Sequence, residues 1–409
     1  MACALKGRMM GTRDGELGAD RPQQPGVPPG VEGLFPVDEV REAFDPARLT
    51  QARLLKGLTK QELAGAVGVS PAAVGQWEAK IQIPKTYHLE RIARALDVPV
   101  AYFLRRRPYA RMNAAAAHFR SLRRTKVAHR DKALAFVEQL WEITYALERR
   151  VQLPHVDVPG LANGEHAPGV VPNDPVAAAR LLREAWKVPE GPFRHLVNAL
   201  ENHGIVVSHV AFANEEETKT VDAFSTTHLP RPLVVTTPDR ADDVYRHRYT
   251  VAHELGHILM HHDVAPGDLA QEREANTFAA ELLTPIDQIA EELPTRLQMR
   301  HLDELSRRWG VSIKSLIKRT RELGLSTEVS ARRAYQRYEQ LHASGVLPGE
   351  SIERYPGEHP MLLRKAYELA EHHGLLTLPQ LAEELVWDLS RVRLLLGIQD
   401  QRPRLTLVH

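Results

Sequence analysis

Cysteine is nearly absent from this 409-residue sequence: one copy, Cys3, lies in a segment of Gly, Pro and polar residues. No disulfide framework and no thiolate metal site can be built from it. Any metal must therefore be held by histidine and carboxylate, and a reducing, cytoplasmic location is the expectation. No apolar run reaches the roughly 18 residues that a membrane helix needs. The opening MACALKGRMMGTRDG also has no apolar core of the kind a secretory leader carries, so a membrane partner is not expected. Net charge is small as well, at +1, but that value hides a strong asymmetry.

What is present is an uneven distribution. Residues 45–150 hold 20 Lys and Arg against 9 Asp and Glu, whereas residues 173–295 hold 10 against 20. The basic part suits a polyanion, and the acidic part suits metal or basic-peptide chemistry. The composition marks further boundaries. Residues 1–44, with QQPGVPPG, are expected to be a disordered tail. A basic helical connector is expected over 108–150, and a flexible Pro/Gly-rich linker over 151–172. Helices mixed with short strands (GIVVSHVAF, 204–212; PLVVTT, 232–237) are expected over 173–295, and a helical region over 296–409. Two stretches of that last region, 302–325 and 378–398, pattern as helix-turn-helix pairs.

Residues 59–80, TKQELAGAVGVSPAAVGQWEAK, carry a specific local code. Thr59 with Glu62 forms a capping box, Gly68 permits a sharp turn, and Ser70 caps the next helix. Leu63, Ala64, Val67, Val74 and Trp77 supply the inner faces, and LERIARALDV (89–98) closes the bundle. Over 45–107 this arrangement resembles the five-helix Cro/cI-type repressor fold, whose second motif helix enters the major groove of DNA. The resemblance implies that Pro71, Ala72, Gly75 and Gln76 face base edges, with Gln76 suited to adenine. It places Lys60, Gln61, Lys80 and Lys85 near phosphates, and makes Arg53 and Glu78 a buttressing ion pair. The expected partner is a double-stranded DNA operator, bound by a homodimer.

Residues 249–262 read YTVAHELGHILMHH. Histidines at i and i+4 share a helix face, so His253 and His257 can hold one Zn²⁺, and Glu254 stands beside that face as a proton acceptor for water. Val251, Ala252, Leu255, Ile258 and Leu259 would bury the helix, while Gly256 allows close packing. A third ligand is needed. In QEREANTFAAELLTP (271–285), Ala275, Ala279, Leu282 and Leu283 define an inner face. Helical spacing sets Glu272 near its middle and turns Glu274 away. Glu272 is the expected third ligand, with Asn276 in support; His261 is the competing ligand or a supporting histidine. Tyr249 and His228 are the candidates for the group that steadies the oxyanion.

Several motifs together resemble the ImmA/IrrE group of bacterial metallopeptidases: LLREAW (181–186), GPFRHLVNALENHGIVV (191–207), VDAFS (221–225), RHRYTVAHELGHILMHH (246–262) and EREANTFAAELLTP (272–285). FRSLRR in the connector fits members with an N-terminal repressor-like domain. One departure is LLTP, with Thr284 where many members have Met. The resemblance implies a mainly α chain with a small β component: a repressor-like bundle, then an α+β zincin-like domain with a HExxH helix, then a helical C-terminal region. It also implies cleavage of a partner repressor that derepresses stress-response or mobile-element genes. Self-cleavage in the 151–172 linker is the weaker variant of that activity. The alternative reading is a non-catalytic transcription factor or antitoxin whose metallopeptidase-like domain is vestigial or senses a ligand.

Overall fold

The computed structural model describes residues 43–104, 118–119, 127–162, 165–209, 223–236, 243–261 and 268–398. The tail, the basic runs around 105–117 and 120–126, and the start of VDAFS lie outside the described residues.

The N-terminal bundle forms as its local code dictates. Helices α1 (Pro46–Leu55), α2 (Lys60–Val67), α3 (Pro71–Glu78) and α4 (Thr86–Leu96) are followed by a 3-10 turn, Val100–Leu104, which takes the place of a fifth α-helix. Thr59 and Glu62 cap α2 reciprocally, Gly68 ends it in the left-handed region, and Ser70 caps α3. Leu63, Val67, Val74, Trp77, Leu89 and Phe103 close the core.

After the two-residue strand β1 (His118–Phe119) comes a long helix, α5 (Val127–Glu148). The stretch expected to be a flexible linker is not one over its first part. Val151, Leu153, Val158 and Leu161 are buried, and the Arg231 guanidinium donates to the carbonyl of Pro154 at 2.7 Å. Proline and glycine serve a tight turn here: Pro159 and Gly160, the latter at φ +75°, lie between the bridged Val158 and Leu161, and Leu161–Ala162 then pairs antiparallel with Glu165–His166 as β2 and β3. At Gly204, φ is +82°, and a Cβ would collide with the His155 carbonyl oxygen. The chain at 155 is thus laid directly on the sheet domain.

That domain comprises α6 (Pro175–Ala185), α7 (Leu196–Asn202), β4 (Val206–His209), β5 (Ala223–Thr226), β6 (Leu233–Thr236), α8 (Val244–Met260) and α9 (Leu269–Leu283). The sheet order is β1-β5-β6-β4, with β4 parallel to β6 and the other pairs antiparallel. Because side chains alternate across a sheet, its two faces enter different cores. Val206, Phe224, Leu233 and Val235 join α5 and the N-terminal bundle, whereas Val207 and Val234 join α8 and α9.

Both helix-turn-helix patterns of the C-terminal region form. After the short helix α10 (Ile286–Ile289), α11 (Met299–Trp309) and α12 (Ile313–Glu322) meet at Gly310, with Ser312 capping α12. With α13 (Glu328–Ala343) they complete the α8–α9 core. Helices α14 (Leu362–His372), α15 (Leu378–Leu385) and α16 (Leu389–Leu396) instead pack on α5 and the N-terminal bundle. Arg391 reaches Gln139 at 2.7 Å and its guanidinium lies over the Phe136 ring. No described helix is long and apolar enough to cross a membrane.

Candidate functional site

Helices α8 and α9 lie side by side because Gly256 lets them approach. A Cβ at that position would stand 3.0 Å from the Phe278 ring and 3.3 Å from Ala275 Cα. The close approach brings Glu272 of α9 to His253 and His257 of α8, both of which are buried. The two histidine Nε2 atoms are 3.1 Å apart. Glu272 Oε2 lies 3.4 Å from His253 Nε2, and its Oε1 lies 3.5 Å from His257 Nε2. Burial alone would raise the Glu272 carboxyl, but hydrogen bonding and charge from both histidines outweigh it and hold it at about 2. The group is therefore a carboxylate.

These spacings suit a single ion. Donors placed tetrahedrally at about 2.0–2.1 Å from zinc are about 3.3–3.4 Å from one another. Among the described residues, His253, His257 and Glu272 are the group of His, Cys, Asp and Glu side chains close enough to hold a metal. The proton pattern behind them agrees. His261 Nε2 lies 2.9 Å from Glu274 Oε2, and His261 Nδ1 lies 2.9 Å from His257 Nδ1. If His261 donates to Glu274 from Nε2, its Nδ1 accepts from His257, and a metal entering the site would displace the proton that His257 Nε2 shares with Glu272, leaving a lone pair to bind it. Burial keeps His261 below the ordinary imidazole value against the pull of Glu274, consistent with that neutral tautomer. His261 thus stands behind the ligand-bearing group rather than in it, and Glu274, half exposed, fastens it.

Glu254 is fully buried. The Ser225 hydroxyl of β5 donates to Glu254 Oε2 at 2.8 Å, which fixes the carboxylate against β5. Sequence reasoning gave Ser225 no role. Its signal was its place at the end of VDAFS, one of the motifs that carry the metallopeptidase resemblance. Asn276 is placed differently from expectation: its Oδ1 accepts from the Tyr249 hydroxyl at 3.0 Å. Tyr249 is committed to that contact, one turn from His253, while His228 is exposed and its backbone N–H donates to Thr226 Oγ1. Thr284, at the LLTP departure, is the C-cap of α9, and its carbonyl accepts from Arg319 at 2.8 Å.

On the N-terminal bundle, Lys60, Gln61, Pro71, Ala72, Lys80 and Lys85 are exposed, while Gly75 and Gln76 are half-buried. Arg53 holds Glu78 with two donors and the Leu58 carbonyl with a third. Lys60 Nζ reaches the same Glu78 at 3.3 Å. The Gln76 carbonyl accepts from Ile81 at 2.9 Å, fastening the end of α3.

Residues 200–321 match the family model of the IrrE N-terminal-like domain, and residues 49–103 match a helix-turn-helix model. A search of curated proteins returned no match. The chain carries a Cro/cI-type helix-turn-helix domain N-terminal to a domain of the ImmA/IrrE kind. The match at 200–321 extends through α11 and most of α12, which share the core of the HExxH helix.

Proposed function

We propose that the chain is a DNA-binding transcriptional regulator with zinc-dependent endopeptidase activity, which cleaves a partner repressor and so derepresses stress-response or mobile-element genes. The observation that carries this reading is the convergence of His253, His257 and Glu272 within 3.1–3.5 Å, with Glu254, the residue after His253, held by Ser225. In this reading the three residues hold zinc, as their donor types and spacing suit, and His261 orients His257. Zinc, when bound, supplies Lewis acidity that polarises a peptide carbonyl and acidifies water. Glu254 takes the proton from the attacking water and delivers it to the leaving amine. Ser225 keeps the Glu254 carboxylate in one orientation, so the base does not have to be reorganised during reaction. The helix-turn-helix domain binds a double-stranded operator as a homodimer, in the cytoplasm, which brings the peptidase to where a repressor sits.

Metal analysis with a cleavage assay tests the reading. Purified protein is expected to carry about one zinc per chain. Glu254→Gln should retain the metal and lose turnover of a co-expressed neighbouring repressor, and Glu272→Ala should lose the metal. His261→Ala should weaken zinc binding roughly 10- to 100-fold without abolishing it. Full zinc occupancy in Glu272→Ala, or unchanged cleavage by Glu254→Gln, would overturn the assignment.

A further inference from the structure

A cavity of about 270 Å³ lies where the N-terminal bundle, α5 and the last helix pair meet. That volume is at the small end of the range for sites that take small organic ligands. Leu55 of α1, with Leu96, Val98 and Pro99 at the end of α4, gives it apolar walls. Gln139 of α5, with Trp387 and Arg391 of the α15–α16 pair, gives it polar ones. None of these residues belongs to the His253, His257 and Glu272 cluster or to the DNA-facing positions named above.

Two donors at this cavity lack a matching acceptor or charge. Trp387 is 8% exposed, and its indole Nε1–H has no hydrogen-bond partner among the described residues. A buried N–H without an acceptor keeps its full desolvation penalty, so it marks a place that wants a polar atom. Arg391 is half-buried, and its Nε and Nη2 both donate to one neutral oxygen, Gln139 Oε1. The guanidinium makes no ion pair among the described residues, although burial works against its charge. The corner that carries Trp387 repeats the first helix-turn-helix. Val386 and Asp388 stand at the same offsets from the capping Thr377 as Gly68 and Ser70 do from Thr59. Gly68 adopts the left-handed region freely, whereas Val386, at φ +57°, is β-branched and strained there. The turn itself asks for neither valine nor tryptophan, and both line the cavity.

We propose that this cavity binds a small organic carboxylate with an apolar body, whose oxygens accept from Trp387 Nε1 and the Arg391 guanidinium. Its body lies against Leu55, Leu96, Val98 and Pro99. Asp97 and Asp388 also border the cavity, but each is engaged elsewhere. Asp388 Oδ1 accepts from the Arg391 backbone N–H at 2.7 Å, and the exposed Asp97 has Lys56 Nζ at 3.8 Å. A carboxylate suits the site better than a neutral amide, because it brings the charge that Arg391 lacks. The ligand touches the bundle and α16 at once, so its binding stabilises their contact by mass action. The DNA-binding bundle thereby gains a small-molecule input that does not depend on the peptidase reading.

The test uses the full-length protein with nitrogen-15-labelled tryptophan. Trp387→Phe identifies the Trp387 indole resonance by its loss and keeps the aromatic packing. Benzoate and hexanoate are the probes, each paired with its neutral amide, and inorganic phosphate is the anion without an apolar body. At least one carboxylate should move the Trp387 resonance saturably and bind about tenfold or more tightly than its amide. Arg391→Gln should weaken that binding by about tenfold or more. Occupancy should also slow hydrogen exchange in α1 and α16 together. No saturable movement with either carboxylate, equal affinity for acid and amide, or an equal response to phosphate would overturn the proposal. Slowed exchange in only one of the two helices would overturn the bridging role. If Arg391→Gln does not fold, the comparison of acid with amide on the parent protein still decides, since it needs no variant.

Discussion

Ser225 and Glu254 are joined by a 2.8 Å hydrogen bond from a strand whose preceding residue, Phe224, faces the opposite way into the core shared with α5. One strand therefore touches the proposed proton acceptor, Glu254, on one side and the support of the DNA-binding bundle on the other. If the hydroxyl orients Glu254, Ser225→Ala should retain zinc and lower kcat by roughly 10-fold with little change in KM, since a neutral hydrogen bond to a carboxylate is worth about 1.5–3 kcal/mol at most. Ser225→Thr, which keeps the hydroxyl, should recover much of the loss. Equal kcat in the Ala variant would remove Ser225 from the site.

The parts of this molecule that were legible in its sequence are those fixed by local rules. Caps at Thr59 and Ser70, the left-handed turn at Gly68, and the i, i+4 pair His253 and His257 each depend on a few neighbouring residues. Glu272 was reachable because helical periodicity set it among buried alanines and leucines. Ser225 was not, because β5 is buried on both faces and its Ala-Phe-Ser-Thr run has no polar alternation to show which side meets a site. The packing of α14–α16 on α5 was also hidden. Both C-terminal helix pairs have similar local codes, and only tertiary surfaces decide that one joins α8 and the other joins α5. The segment 151–162 misled through composition, since Pro and Gly mark turns in packed chain as readily as in free linkers.

The bundle is held to α5 by buried charge. Arg48 lies 2.6 Å from Glu142, and Gln51 bridges to Glu142 at 3.1 Å and to Glu138 at 3.3 Å. Glu142→Ala leaves a buried guanidinium without its carboxylate, which should cost about 3–5 kcal/mol. Arg48→Met with Glu142→Leu should recover most of that loss. Denaturant midpoints of the single and double variants measure the coupling. A single variant within 1 kcal/mol of the parent, on the scale of an exposed pair, would show the pair to be solvated.

Stability should fall in acid for a reason located away from the His253, His257 and Glu272 cluster. The His209 and His247 rings are 5.1 Å apart, with His209 Nδ1 on Thr236 Oγ1 and His247 Nε2 on the Glu358 carbonyl. Burial first, then the neighbouring imidazoles, pushes His209 down to about 4 and His247 down to about 3. Below the ordinary imidazole value of 6.5 the unfolded chain binds protons that the folded chain refuses. The contribution is thus intact above that value and is lost as pH falls towards 4 and then 3. Glu201 acts in the opposite sense. Burial raises it to about 7 although it accepts the Met361 and Leu362 amides, so its own contribution declines as pH rises from about 4.5 to about 7. With two histidines against one carboxylate, the urea midpoint should be lower at pH 5 than at pH 7.5. Glu201→Gln should steepen that drop, and His247→Asn should flatten it. A midpoint independent of pH would contradict the burial of both rings.

DNA binding provides the remaining prediction, and salt separates its two components. Lys60, Lys80 and Lys85 are exposed around α3, where contact with phosphates releases condensed counterions, so affinity should fall steeply as salt rises. Removing one of them should lower the slope of log affinity against log salt by about 1 and weaken cognate and random DNA alike. Lys60 is the informative choice, because its ammonium already lies 3.3 Å from Glu78. If that ion pair persists on DNA, Lys60→Ala will change the slope less than Lys80→Ala. Gln76 should behave differently. A side-chain amide reading adenine contributes specificity, so Gln76→Ala should cost roughly 1–3 kcal/mol on the operator and little on random sequence, with the salt slope unchanged. Gln76 is half-buried, however, and its carbonyl fastens the end of α3. The comparison therefore needs Gln76→Glu as well, which preserves shape and backbone but reverses the preference towards cytosine. Equal losses on operator and random DNA for both variants would show that Gln76 supports the helix without reading the base.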